Sequence, residues 1–249
     1  MKKMFISLLL LTVLVFTNSP GSLHKTSYIH SNSGPKKTFA IDFKSRLNQA
    51  EKDLEKSKAG ILKELNSNEN DLKNFIKKNC NFYQDYFNQQ IAKYKVSNKC
   101  LKLVNMADEI CVELQKNPKI EILAIDNLFG KCGSPGITIG QTIFVDSKFV
   151  DNPGIIMHEI CHAINDDQIT ICALDALIDQ HNKNTKKSKF SKLANLRSKF
   201  YQRLEKRADL WSAAHGKDCA KQLADFFKSL GCASTECHPD LAERIAYLS

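Results

Sequence analysis

The sequence predicts an α+β fold that is mostly helical, and three observations lead to it. Apolar residues recur three and four apart from Phe39 to Val96, and again from about Ile155 almost to the end. Between these helical halves lies one short region, Ile120 to Val145, with β-branched alternation at both ends and glycines in the middle. The 249 residues, 43% hydrophobic and 25% charged, suffice for one large core and exclude wholesale disorder, collagen and multi-span membrane classes.

The first segment reads as an address. Lys2 and Lys3 precede an apolar run from Met4 to Phe16, which ends in small and polar residues around Ser19-Pro20-Gly21. This is the pattern of a secretory signal peptide over residues 1–21. The run is shorter than the roughly 20 apolar residues that span a bilayer, so an uncleaved membrane anchor is the alternative reading. Residues 22–38, with Gly34-Pro35, carry no periodicity and read as a flexible leader. Export to the periplasm or beyond permits disulfides among the nine cysteines, all beyond residue 79. Nine is odd, so at least one thiol is left over, and Cys232 and Cys237 are close enough in sequence to pair.

From Phe43, Leu47, Ala50 and Leu54 through Ile61 and Leu65 to Phe87 and Tyr94, the spacing predicts an N-terminal helical segment over 39–96. Asn66-Ser67-Asn68 and Asn79-Cys80-Asn81 divide it into two or three helices. An amphipathic helix is expected from about Ser97 to Gln115, ended by Asn117-Pro118. Strands follow at Ile120–Ile125 and Gln141–Val145, making a small hairpin-like region closed by Pro153-Gly154. A helix then begins near Ile155, and residues 97–249 form the main domain. Its later helices are interrupted by the basic stretch Asn182 to Lys192 and by Gly231-Cys232-Ala233-Ser234.

The chemistry concentrates in His158-Glu159-Ile160-Cys161-His162. On a helix, residues four apart lie one turn above each other, so His158 and His162 can aim ring nitrogens at one metal ion. Zinc suits imidazole donors and tetrahedral sites. Glu159, one residue round the helix, is placed to take a proton from a water that the metal has acidified. Cys161 should point away from the metal and pack in the core. A catalytic zinc needs a third protein ligand, and Glu205 in Leu204-Glu205-Lys206-Arg207-Ala208-Asp209 is the candidate. Asp209, four residues on, can accept the second ring N–H of a ligating histidine. Without the first motif, Glu205 and Asp209 would read as a solvated face paired with Lys206 and Arg207.

These residues resemble a known family. The order H-E-x-x-H, then Glu205 with Ala208-Asp209, then His238-Pro239-Asp240-Leu241-Ala242-Glu243-Arg244 is similar to the gluzincin metallopeptidases of the HtpX and CAAX-prenyl-protease type, metallopeptidase family 48. The resemblance covers roughly Ser97 to Leu248 and implies a zincin-like domain whose small sheet binds the substrate backbone at its edge. It implies one zinc ion held by His158, His162 and Glu205, Glu159 as general base, Asp209 as outer support, and His238 as oxyanion donor with Arg244 in the same terminal element. It further implies an endopeptidase acting on peptides or unfolded proteins, in the manner of exported members that serve envelope protein quality control. The turn Asp126 to Gly136 departs from the family, which carries an Asn-Ala-Phe-Ala-like segment there.

The net charge of +9 is concentrated partly in Lys183, Lys186, Lys187, Lys189, Lys192, Arg197, Lys199 and Arg203. This stretch reads as a solvated insertion that can also touch an anionic membrane surface or steer an acidic substrate. No base-reading motif points to nucleic acid. The competing function class is a non-catalytic exported binding or scaffold protein on the same fold. The presence of Glu159, which a structural metal site does not need, favours the enzyme.

Overall fold

The computed structural model describes residues 36–103, 106–128, 130, 134–184, 190–216, 218–230 and 238–249. Within them the chain is mostly helical with one four-stranded sheet, the α+β architecture expected. The segment read as a signal peptide and leader, and Cys232 and Cys237, lie outside the described residues. The six described cysteines, Cys80, Cys100, Cys111, Cys161, Cys172 and Cys219, are free thiols, so the expected disulfides do not form among them.

Two long helices open the described chain, α1 at Lys36–Glu64 and α2 at Glu69–Ser97. The chain reverses between them at Asn66, whose φ of 53° is left-handed. Asn68 then caps α2 by accepting from the backbone of Asn70 and Asp71, while Asp71 accepts from the backbone N–H of Asn68. The second asparagine break does not occur. The Asn79 side chain donates to the carbonyl of Phe75 at 2.7 Å and so stays inside the helix.

The helix expected from Ser97 to Gln115 is also revised. Cys100–Lys102 forms strand β1, and helix α3 covers only Asp108–Lys116. Strand β2 is Glu121–Ile125, β3 is Gly136–Ile139 and β4 is Thr142–Asp146. The sheet order is β1-β2-β4-β3. β2 and β4 run parallel, with Leu123 opposite Phe144, so they are not the two arms of a hairpin. The hairpin is β3 with β4, turned at Gly140 with φ 58°, and β3 is an antiparallel edge. β1 pairs antiparallel on the other side, Leu101 opposite Ala124, which takes the backbone of that segment into the sheet.

Helix α4, Pro153–Ile164, starts on its proline, with Asn152 accepting from the Ile155 N–H at 3.2 Å. The remaining helices are α5 at Asp167–Asn184, α6 at Phe190–His215, α7 at Cys219–Leu230 and α8 at Leu241–Leu248. The apolar side of α4, Ile156, Met157, Ile160 and Ala163, packs on Ile122, Ile143 and Val145 of the sheet and on Ile110 of α3. At its start Gly154 lets α7 close in, since a Cβ there would stand 2.9 Å from the carbonyl oxygen of Cys219.

The N-terminal helices share the core of everything that follows. Leu54, Ile61 and Leu62 of α1 cluster with Phe200 and Leu204 of α6. Phe43 and Leu47 cluster with Leu223 and Phe227 of α7 and Leu248 of α8. The core therefore runs across the boundary expected at 96/97. Part of the basic stretch is used inside the fold as well. Arg197 grips Asp175 through two hydrogen bonds, Lys192 meets Glu64 at 2.6 Å and Arg203 donates to the carbonyl of Asp53. No helix among the described residues is long and apolar enough to cross a membrane.

Candidate metal centre

Helix α4 brings His158 and His162 onto one face, and α6 crosses it carrying Glu205 and Asp209. The two Nε2 atoms face each other at 3.1 Å. Glu205 Oε2 lies 3.4 Å from His158 Nε2, and Glu205 Oε1 lies 3.6 Å from His162 Nε2. All three residues offer donor atoms within 4.8 Å of one another and could hold a metal ion. At metal–ligand distances of about 2.0–2.1 Å, tetrahedral geometry spaces its donors roughly 3.4 Å apart. The observed separations bracket that value.

Both imidazoles are oriented from behind. His158 Nδ1 donates to Asp209 Oδ1 at 2.8 Å, and His162 Nδ1 donates to Asp167 Oδ2 at 2.8 Å. A carboxylate at Nδ1 places the ring proton there and leaves the lone pair on Nε2. The two Nε2 atoms and the Glu205 carboxylate thus converge on one point, where a proton or a metal ion would supply the positive charge between them. The donor chemistry thus fits a metal ion without further rearrangement.

Each orienting carboxylate is itself clamped by a buried arginine. Arg244 donates to both oxygens of Asp209 at 2.8 and 2.7 Å, and the Tyr247 hydroxyl donates to the same carboxylate at 2.5 Å. Arg207 pairs with Asp167, and both are buried. Asp167 heads the first turn of α5, where the helix dipole also favours a negative charge.

The electrostatics follow. Burial by itself would lower the pKa of His158, yet its contacts with Asp209 and Glu205 raise it to about 10. Burial would raise Asp209, but Arg244 and His158 hold it at about 2. Burial opposes ionisation of Glu205 too, and His238, His158 and His162 together keep it well below the usual carboxylate range. The carboxylates around His158 thus favour a positive charge at this point.

Glu159, beside the ligands, is buried against strand β3. Thr138 Oγ1 donates to Glu159 Oε2 at 2.7 Å and lies 3.0 Å from the carbonyl oxygen of Glu159. His238 stands half-exposed just before α8, its Nε2 3.5 Å from Glu205 Oε2. Burial and the nearby Arg244 lower its pKa, and Glu205 opposes them only in part. Arg244 Nη2 is 3.6 Å from the same Glu205 oxygen. Cys161 is fully buried and outside the donor set, with burial pushing its thiol up to about 12.

Six of the seven residues expected from the sequence, His158, His162, Glu205, Asp209, His238 and Arg244, are joined by direct contacts, and the seventh, Glu159, adjoins His158 along α4 with its carboxylate on Thr138. Sequence reasoning missed four others: Asp167, Arg207, Thr138 and Tyr247. Arg207 is buried on Asp167, unlike the solvated face that was the alternative reading, while Lys206 does reach solvent and pairs with Glu243 at 3.4 Å. The signal for Asp167 was an acid opening a helix directly after the motif. No protein-family model, curated protein or solved structure matches this chain.

Proposed function

We propose that this chain is a zinc-dependent endopeptidase of gluzincin type, exported, with His158, His162 and Glu205 as the ligands of one zinc ion per chain. The observation that carries the reading is the donor triad itself. Two Nε2 atoms, turned toward each other by clamped carboxylates, meet Glu205 at tetrahedral spacing. A buried carboxylate that is not a ligand, Glu159, sits one residue from the first histidine. A purely structural zinc site has closed coordination and no use for such a base.

Zinc bound here would supply Lewis acidity, acidifying a water molecule and drawing electron density from the scissile carbonyl. The protein's own residues do the rest. Glu159 accepts the proton of the attacking water and passes it to the departing amine, so no acyl-enzyme forms. His238, next to Glu205 and reachable from solvent, offers an N–H to the carbonyl oxygen as it gains negative charge. Asp209 and Asp167 hold both imidazoles aimed. The substrate class is peptide or unfolded protein.

The test is zinc content and casein cleavage of the purified protein beside Glu159→Gln. We expect one equivalent of zinc in both and a loss of cleavage of about 10²-fold or more in the variant, the scale of general-base catalysis. Equal cleavage by the two proteins, with zinc bound, would overturn the peptidase reading and leave the binding-protein alternative.

A further inference from the structure

We propose that Thr138 is the positioning residue for Glu159, holding one carboxylate oxygen so that the other is left to the reacting water. The inference rests on Glu159 being the base, as argued above, but its geometry stands on strand β3.

A glutamate side chain has three rotatable bonds and, if unrestrained, spreads its carboxylate over several positions. Two features of the edge strand remove that freedom. The first is the Thr138 hydroxyl, which donates to Oε2 at 2.7 Å. Thr138 is β-branched and sits in a strand, where its χ1 is stiff, so the hydroxyl is a fixed anchor. Its 3.0 Å approach to the carbonyl oxygen of the same residue measures the hydroxyl's place against both ends of Glu159. The second is Gly136, two residues earlier and on the same side of the strand. A Cβ there would stand 2.8 Å from Glu159 Cγ and 3.1 Å from Oε1. The missing side chain leaves the room that Glu159 fills. Oε2 is thus tied to the strand while Oε1 is bounded by bare backbone.

The edge strand of the sheet therefore also sets the base. Misplacement of a reacting group by about 1 Å costs on the order of 10²-fold in rate. Removing the anchor should lower kcat and leave binding alone.

The experiment compares wild type, Thr138→Val and Thr138→Ser as zinc-loaded proteins, and solves crystal structures of the metal-free forms. Valine keeps the shape and loses the hydroxyl; serine keeps the hydroxyl. We expect kcat for casein or a peptide substrate to fall about 10- to 100-fold in Thr138→Val, with KM, zinc content and melting temperature unchanged, and to return to within about threefold in Thr138→Ser. In the metal-free crystals, Glu159 should keep one position in wild type and Thr138→Ser and leave it or split in Thr138→Val. A Glu159 carboxylate that stays in place in Thr138→Val overturns the proposal, as does a serine variant that falls as far as valine. Should Glu159→Gln cleave as well as wild type, the peptidase reading fails, and the crystal comparison still decides whether Thr138 holds Glu159.

Discussion

Each histidine of the centre is the front of a three-residue chain. His158, Asp209 and Arg244 form one, and His162, Asp167 and Arg207 the other. Only the first was legible, because Asp209 follows Glu205 by one helical turn and spacing alone puts them on the same face. Asp167 lies beyond the turn at Asp166, whose left-handed φ of 48° redirects the chain, and no periodicity crosses such a turn. If the two chains are equivalent, Asp167→Asn should weaken zinc affinity by about 10- to 100-fold, as outer-shell substitutions do, and competition with a chelating dye would measure it. The pH dependence follows from the raised pKa of His158. In the metal-free protein this group moves from 6.5 to about 10, so the stability it contributes is complete below about 6.5 and fades as pH rises toward 10. Asp209, lowered from 3.8 to about 2, contributes above 3.8 and is lost as pH falls through 2. Melting of the chelator-treated protein should therefore decline from pH 6.5 upward. The rise in melting temperature on adding zinc should grow over the same interval, because the ion displaces the His158 proton. A zinc-induced shift that is flat from pH 6.5 to 9 would contradict this assignment.

At the scale of elements, helices with a strong apolar stripe and an unambiguous stop were readable, and short strands were not. α4 was legible from its apolar run at Ile155 to Met157 and the four-residue spacing of its histidines, and the structure starts it two residues earlier, on Pro153 behind the cap of Asn152. β3 was hidden, since Gly136 and Gly140 at its ends resemble a loop while its pairing with β4 is non-local. β1 was mistaken for helix for a related reason. Leu101 fits an apolar stripe by spacing, yet it is one of the exposed large hydrophobics, and what places its backbone is the ladder to β2. Asn79 shows the opposite error. A residue that breaks helices in general was absorbed because its amide found the carbonyl one turn back.

Across the whole molecule, the N-terminal helices are a wall of the same core that supports the metal centre. α1 backs α6, the helix that presents Glu205 and Asp209, and residues of α2 share the apolar cluster on which α6 rests. Leu54, Ile61, Leu62, Leu72 and Phe87 are each buried there, and each side chain of that kind contributes roughly 1.5–3 kcal/mol. A protein shortened to begin near Ser97 would lose all of them against a net stability of about 5–15 kcal/mol. We expect that shortened form to lack a cooperative thermal transition and to cleave nothing, where a latent enzyme with a removable inhibitory segment would become more active. Circular dichroism melting together with casein cleavage separates the two outcomes.

By itself the sequence determined the class of fold and put His158 and His162 on one helix face, because helical spacing is local and four residues make about one turn; Glu205 it offered only as the candidate for a third ligand. Asp209 followed from the same spacing, one turn after Glu205, whereas His238 and Arg244 were singled out only by the resemblance to a known family. Only the tertiary structure decided that Asp167 and Arg207 orient the second histidine, that Thr138 on an edge strand touches Glu159, and that α1 belongs to the core behind Glu205. Those contacts join residues far apart in sequence, or cross a turn or a sheet edge, and they form only once packing has brought four helices and a strand together.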